Sequence, residues 1–109
     1  MVQNIRDMDE LKAFLKAAGN KLVVIEFSAK WCGPCKRIYP VFHAMSVQYR
    51  SVMFATVDVD NARELAQTYH IKAVPTFQMF KQTKKCLCSA QLLRAFTGVK
   101  PLLKQRSGG

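Results

Sequence analysis

A single α/β domain built on a mixed β-sheet is what the chain predicts, and three observations carry the expectation. Helical and strand periodicities alternate through the first 80 residues in the order β-α-β-α-β-α-β. Leu22–Phe27 is an apolar run broken by one acid, Glu26, as a central strand covered on both faces requires. The 109 residues suit one compact domain, and a composition 50% hydrophobic and 22% charged excludes a disordered tail or a coiled coil.

The elements follow in order. Val2–Ile5 reads as a short edge strand. Asp7 is placed as an N-cap, with Glu10 three residues on completing a capping box. Met8, Leu11, Phe14, Leu15 and Ala18 then recur at helical spacing, and Gly19 stands where a C-cap glycine belongs. After the central strand, a second helix is predicted from Pro34 to Tyr49. Pro34 fits its first turn, where a missing N–H costs nothing, and Pro40 should kink it. Val52–Asp58 is rich in β-formers and is a third strand. Asp60 or Asn61 is expected to cap a short helix through Tyr69, and Thr76–Phe80 is a fourth strand directly after Pro75.

Seventeen Lys and Arg against seven Asp and Glu give a net charge of +10. All the acids lie between Asp7 and Glu64, so the segment after Pro75 is basic throughout. Four clustered cysteines do not make the framework of a secreted disulfide scaffold. Met1–Arg6 lacks the apolar stretch of a signal peptide, and Leu22–Ile25 is far short of a membrane span. A soluble, intracellular protein is expected.

The chemistry is expected at Trp31-Cys32-Gly33-Pro34-Cys35. Two cysteines one helical turn apart can open and close a small ring with little backbone movement. Cys32 at a helix N-terminus would meet unpaired N–H groups and the positive end of the dipole, which favour a thiolate. Cys35, one turn in, is expected to be more buried and to resolve the mixed disulfide, while Pro34 stiffens the turn. A zinc site would need two further ligands from His43, His70, Cys86 and Cys88. Cys-x-Cys is an uncommon zinc pair, and a proline inside the turn is atypical of a zinc knuckle, so no metal is expected.

With Val23–Ala29 before it, Pro40 after it, and Val57-Asp58-Val59-Asp60 and Val74-Pro75-Thr76-Phe77 following in order, this motif resembles the thioredoxin family. Phe42–Val47 and Thr76–Lys81 resemble the animal, testis-specific branch of that family. The resemblance implies a thioredoxin-like fold: a mixed sheet of four to five strands flanked by helices, in a single domain over residues 1–106. It makes Cys32 the attacking and Cys35 the resolving thiol of a redox-active disulfide. Substrate contacts fall to Trp31, Gly33, Pro34, Val74 and Pro75, with Pro75 in the cis form. Glu26 stands where the family keeps a buried aspartate. Its side chain is one methylene longer, so two readings stay open: a proton relay to Cys35, or a tolerated core acid. Asp58 either sets local polarity or caps, and Lys30 and Lys36 flank the dithiol with positive charge.

After Lys81 the pattern departs from the family. The reading adopted makes residues 81–92 an enlarged hairpin loop containing Cys86 and Cys88. The sheet then closes at Leu93–Val99, the last helix is shortened to about Lys100–Arg106, and residues 107–109 form a flexible tail. A shortened helix buries less apolar surface, so a less stable domain is expected. The expected function is reduction of protein disulfides, with no bound cofactor and with electrons from NADPH through thioredoxin reductase. The resemblance further implies a cytoplasmic protein associated with the Golgi and with male germ cells, and a monomer is expected. With no apolar span and no nucleic-acid motif in the sequence, neither membrane insertion nor specific nucleic-acid binding is expected. The competing reading is a basic, non-catalytic module that holds an acidic partner through the segment after Pro75.

Overall fold

Strand propensity and helical periodicity produce their elements in the expected order in the computed structural model, which describes residues 2–82 and the backbone of Lys84 and Lys85. These are β1 (Val2–Ile5), α1 (Met8–Ala18), β2 (Leu22–Ser28), α2 (Gly33–Gln48), β3 (Val52–Asp58), α3 (Arg63–Thr68), β4 (Thr76–Lys81) and β5 (Lys84–Lys85). The strands lie in the order β1-β3-β2-β4-β5. β1 and β2 flank β3 in parallel, whereas β4 runs antiparallel to β2 and β5 antiparallel to β4. This is the mixed sheet and thioredoxin-like architecture expected.

Alternation along the strands divides the interior into two layers. Val23, Ile25 and Phe27 of β2 meet Leu11 and Leu15 of α1 and Leu65 of α3 on one face. Val24 of β2 meets Ile38, Val41, Phe42 and Met45 of α2, with Phe54 and Met79, on the other. Successive side chains of a strand point to opposite faces, so Glu26 shares the α2 face with Val24. That parity brings the buried acid to the helix that carries the cysteines.

The caps show where local rules hold and where neighbours compete. The Asp7 carboxylate accepts from the Glu10 N–H at 2.8 Å, as an N-cap should. Glu10 does not return the bond to Asp7. Its carboxylate accepts from the Arg6 N–H at 2.7 Å and pairs with the Arg6 guanidinium at 2.8 Å, a charged donor outcompeting the box geometry. Gly19 ends α1 with φ 61°, a conformation that favours glycine, and its N–H donates to the Lys16 carbonyl. Asp7→Ala is expected to cost about 1 kcal/mol of stability, read from the urea midpoint at unchanged slope. A midpoint equal to wild type would deny the cap its role.

Three expectations change. α2 begins at Gly33, one residue before the expected start, with Cys32 as its cap, and ends at Gln48, with Pro40 inside it. The cap of α3 is Ala62, without a side-chain bond, in place of Asp60 or Asn61: the backbone N–H groups of both are held by the Asp58 carboxylate, and the Asp60 carboxylate accepts from the Trp31 indole. Lys84 and Lys85, read as part of an enlarged loop, pair with Lys81 and Phe80 across a turn in which Gln82 has φ 54°. Backbone hydrogen bonding simply continues from β4. Cys86, Cys88, the expected strand Leu93–Val99, the shortened last helix and the tail lie outside the described residues.

Candidate active site

The central strand delivers the chain to the site and a capped helix takes it away. β2 ends at Ser28, whose carbonyl accepts from the Val59 N–H at 2.9 Å, tying the strand exit to the loop after β3. Ala29–Trp31 form a turn closed by the Cys32 N–H on the Ala29 carbonyl at 3.1 Å. Cys32, extended at φ −82° and ψ 110°, then caps α2, with Pro34 in the first turn where its missing N–H has no partner to lose.

Cys32 and Cys35 are joined as a disulfide, with Cα atoms 5.2 Å apart. The Cys35 N–H donates to Cys32 Sγ at 3.1 Å. The Cys35 N–H in the first turn of α2 therefore points toward the sulfur of Cys32, where a negative charge is favoured by both the bond and the helix dipole. The two cysteines are equally buried, each 3% exposed, instead of Cys35 lying deeper. Ala29 packs with the pair, and Val59 and Val74 cover them from the neighbouring loops. Gly33 is half-buried. A Cβ there would meet only the tip of the Arg37 side chain at 3.4 Å, so crowding within the chain does not require glycine.

A second loop faces the dithiol. The Val74–Pro75 peptide is cis, and the Thr76 hydroxyl donates to the Ala73 carbonyl, closing the turn before β4. Trp31, Val59, Ile71 and Val74 line a small apolar hollow of about 120 Å³. Trp31 is 69% exposed, yet its indole is not loose: Nε1–H donates to Asp60 Oδ2 at 2.9 Å. Asp58 makes that contact available, because its Oδ1 accepts from the N–H groups of Asp60 and Asn61 at 2.9 and 3.4 Å. Capping is thus the role of Asp58 seen here. The Trp31–Asp60 bond joins residues 29 apart and leaves no local signal in the sequence.

Glu26 is 1% exposed, between Thr56 of β3 and Phe77 of β4. Its Oε1 accepts from the Thr56 hydroxyl at 3.5 Å, and Oε2 has no hydrogen-bond partner. Burial drives its pKa up to about 7, against the lowering influence of the Thr56 bond. A cleft of about 600 Å³ lies against this carboxyl, and Cys35, Thr56, Lys36, Tyr39 and Asp58 line it as well. Glu26 and Cys35 therefore line one open cleft.

Among the described residues, no group of three or more His, Cys, Asp or Glu could hold a metal ion. His43 stacks on Tyr39 with ring centroids 5.9 Å apart, and His70 occupies a turn with φ 55°. Among the same residues, no helix is long and apolar enough to cross a membrane.

Comparison with known proteins agrees with this geometry. The sequence model of the thioredoxin family matches residues 4–95. Human thioredoxin domain-containing protein 8 is 60% identical over 94 residues, covering 86% of this chain and 74% of that protein. Human thioredoxin is 48% identical over 85 residues, 78% of this chain and 81% of that one. The X-ray structure of Fasciola hepatica thioredoxin superposes with a TM-score of 0.77 at 34% identity, covering 78% of this chain and 82% of its own.

Proposed function

The chain belongs to the thioredoxin family of thiol–disulfide oxidoreductases, and on that premise we propose that it reduces disulfide bonds in proteins through Cys32 and Cys35. The observation that carries the proposal is the linked pair at the N-terminus of α2, with Cys32 Sγ accepting the Cys35 N–H.

In the reduced protein, Cys32 thiolate attacks one sulfur of the substrate disulfide. The other substrate sulfur leaves with the bonding electrons and takes a proton from water. The mixed disulfide then meets Cys35 as thiolate, its proton having passed to the Glu26 carboxylate through the shared cleft. Attack of Cys35 on Cys32 sulfur forms the Cys32–Cys35 bond, and the second substrate thiolate departs and is protonated in turn. The substrate gains two electrons and the dithiol loses two. Thioredoxin reductase returns them from NADPH, and the domain itself holds no cofactor.

Trp31, Gly33, Pro34, Val74 and Pro75 form the surface that receives the substrate. Trp31 offers an exposed apolar face fixed by Asp60, and the open backbone at Gly33 allows a close approach. Trp31→Ala is expected to leave the unfolding free energy within about 0.5 kcal/mol, since the ring is mostly exposed. It should lower kcat/KM for a disulfide protein while largely sparing a small aromatic disulfide. Equal losses on both substrates would place Trp31 in the chemistry instead of recognition.

A cytoplasmic monomer of male germ cells, associated with the Golgi, completes the proposal; immunolocalisation checks the first part and sedimentation the second. The binding-module reading draws less support. The segment after Pro75 begins with β4, whose Met79 and Phe80 are committed to the core. NADPH oxidation with thioredoxin reductase and a disulfide protein tests the reductase: turnover supports it, and none in folded protein overturns it.

A further inference from the structure

We propose that Thr56 is a positioning residue for the resolving step: its hydroxyl holds Oε1 of Glu26 and leaves Oε2 as the oxygen that receives the Cys35 proton. This rests on the reading of Glu26 as proton acceptor given above.

Register makes the pairing. Glu26 and Thr56 are direct partners on the adjacent parallel strands β2 and β3. Parity puts both on the α2 face, with Val24 and Phe54, and both line the cleft that Cys35 lines. A glutamate has three side-chain torsions, so a buried carboxyl without a partner would sample several positions. The Thr56 bond fixes one oxygen and leaves the other unpartnered. β3 itself does not call for a hydroxyl here, since valine has the same branched shape and would suit a strand equally well. The ionisable groups that share the cleft are Lys30 before α2, Cys35, Lys36 and Tyr39 on α2, and Asp58 on β3. None of them is a hydrogen-bond partner of Oε2.

The step balances simply. The Cys35 thiol gives its proton to Oε2, its sulfur attacks Cys32 sulfur, the Cys32–substrate bond breaks, and the substrate sulfur leaves with that electron pair. A donor on Oε1 stabilises the ionised carboxylate, so it holds Glu26 able to accept at a lower pH than burial alone would allow.

Carboxyl-¹³C NMR of the oxidised protein reads Glu26 among the three glutamates of this sequence, Glu10, Glu26 and Glu64. Thr56→Val should raise its titration midpoint by roughly half a pH unit or more. The pH below which single-turnover resolution slows should rise by the same amount. Thr56→Ser should restore both, and Thr56→Ala beside Thr56→Ser makes the same comparison if valine disturbs β3. Folded Thr56→Val with both readouts unchanged, or serine that restores neither, would overturn the proposal. Glu26→Gln should abolish the acidic limb of the profile. A limb that persists in Glu26→Gln would show that the reading of Glu26 fails and that Thr56 has nothing to position. Absence of any disulfide reduction by wild type would instead remove the proposed function.

Discussion

Cys32→Ser is expected to reduce NADPH-coupled disulfide reduction to the uncatalysed background while leaving the fold intact. Among the described residues Cys32 is the cysteine that caps a helix, and its Sγ accepts the Cys35 N–H, so the variant loses the thiol that this donor supports. The serine hydroxyl can keep the cap, because Ser ranks among the preferred N-cap residues. Loss of activity therefore reads the chemistry and not the helix. Circular dichroism and the unfolding midpoint of the reduced proteins check the second half of the expectation. Turnover above background in Cys32→Ser would move the attacking thiol elsewhere in the chain.

Glu26→Leu should change the pH dependence of stability more than any surface substitution. The carboxyl titrates near pH 7 in the folded protein, raised by burial, against an ordinary value of 4.5. The folded state thus binds the proton more tightly than the unfolded chain. Between about pH 4.5 and pH 7 the folded state carries more protons, so stability falls as pH rises through that window. The shift corresponds to on the order of 3 kcal/mol lost by pH 8 relative to pH 4. Leucine, about one methylene larger than glutamate, carries neither the charge nor the unpartnered Oε2. The variant should therefore be more stable than wild type at pH 8, and its urea midpoint should not share the decline between pH 5 and pH 8. Parallel curves for the two oxidised proteins would mean that Glu26 is not buried as a protonated acid. An acid kept at such a cost in a central strand is understandable if it moves a proton for Cys35.

The layers of the fold were legible because they rest on periodicity. The run Leu22–Phe27 could belong only to a strand covered on both faces, and its residues are buried alternately against α1 and α2. The dithiol was legible for a related reason: a two-residue spacing and a proline in the first helical turn are local features. What escaped the sequence depends on contacts between distant segments. A local capping box pairs Glu10 with Asp7, but the Arg6 guanidinium outcompetes that geometry. Local rules offer Asp60 or Asn61 as the cap of α3, whereas Asp60 holds the Trp31 indole from 29 residues away. The equal burial of Cys32 and Cys35 comes from Val59 and Val74, which approach from two other loops. Thr56 opposite Glu26 became visible only once the β2–β3 register was known.

The division of labour between the two cysteines is tested most directly by trapping the intermediate. Reduced Cys35→Ser protein, mixed with a disulfide substrate and quenched with acid, should accumulate a mixed disulfide that intact-mass and peptide mass spectrometry place on Cys32. Wild type treated alike should show no lasting adduct and should end as the Cys32–Cys35 disulfide. An adduct carried by Cys86 or Cys88, or a Cys35→Ser protein that turns over like wild type, would contradict the account at its centre.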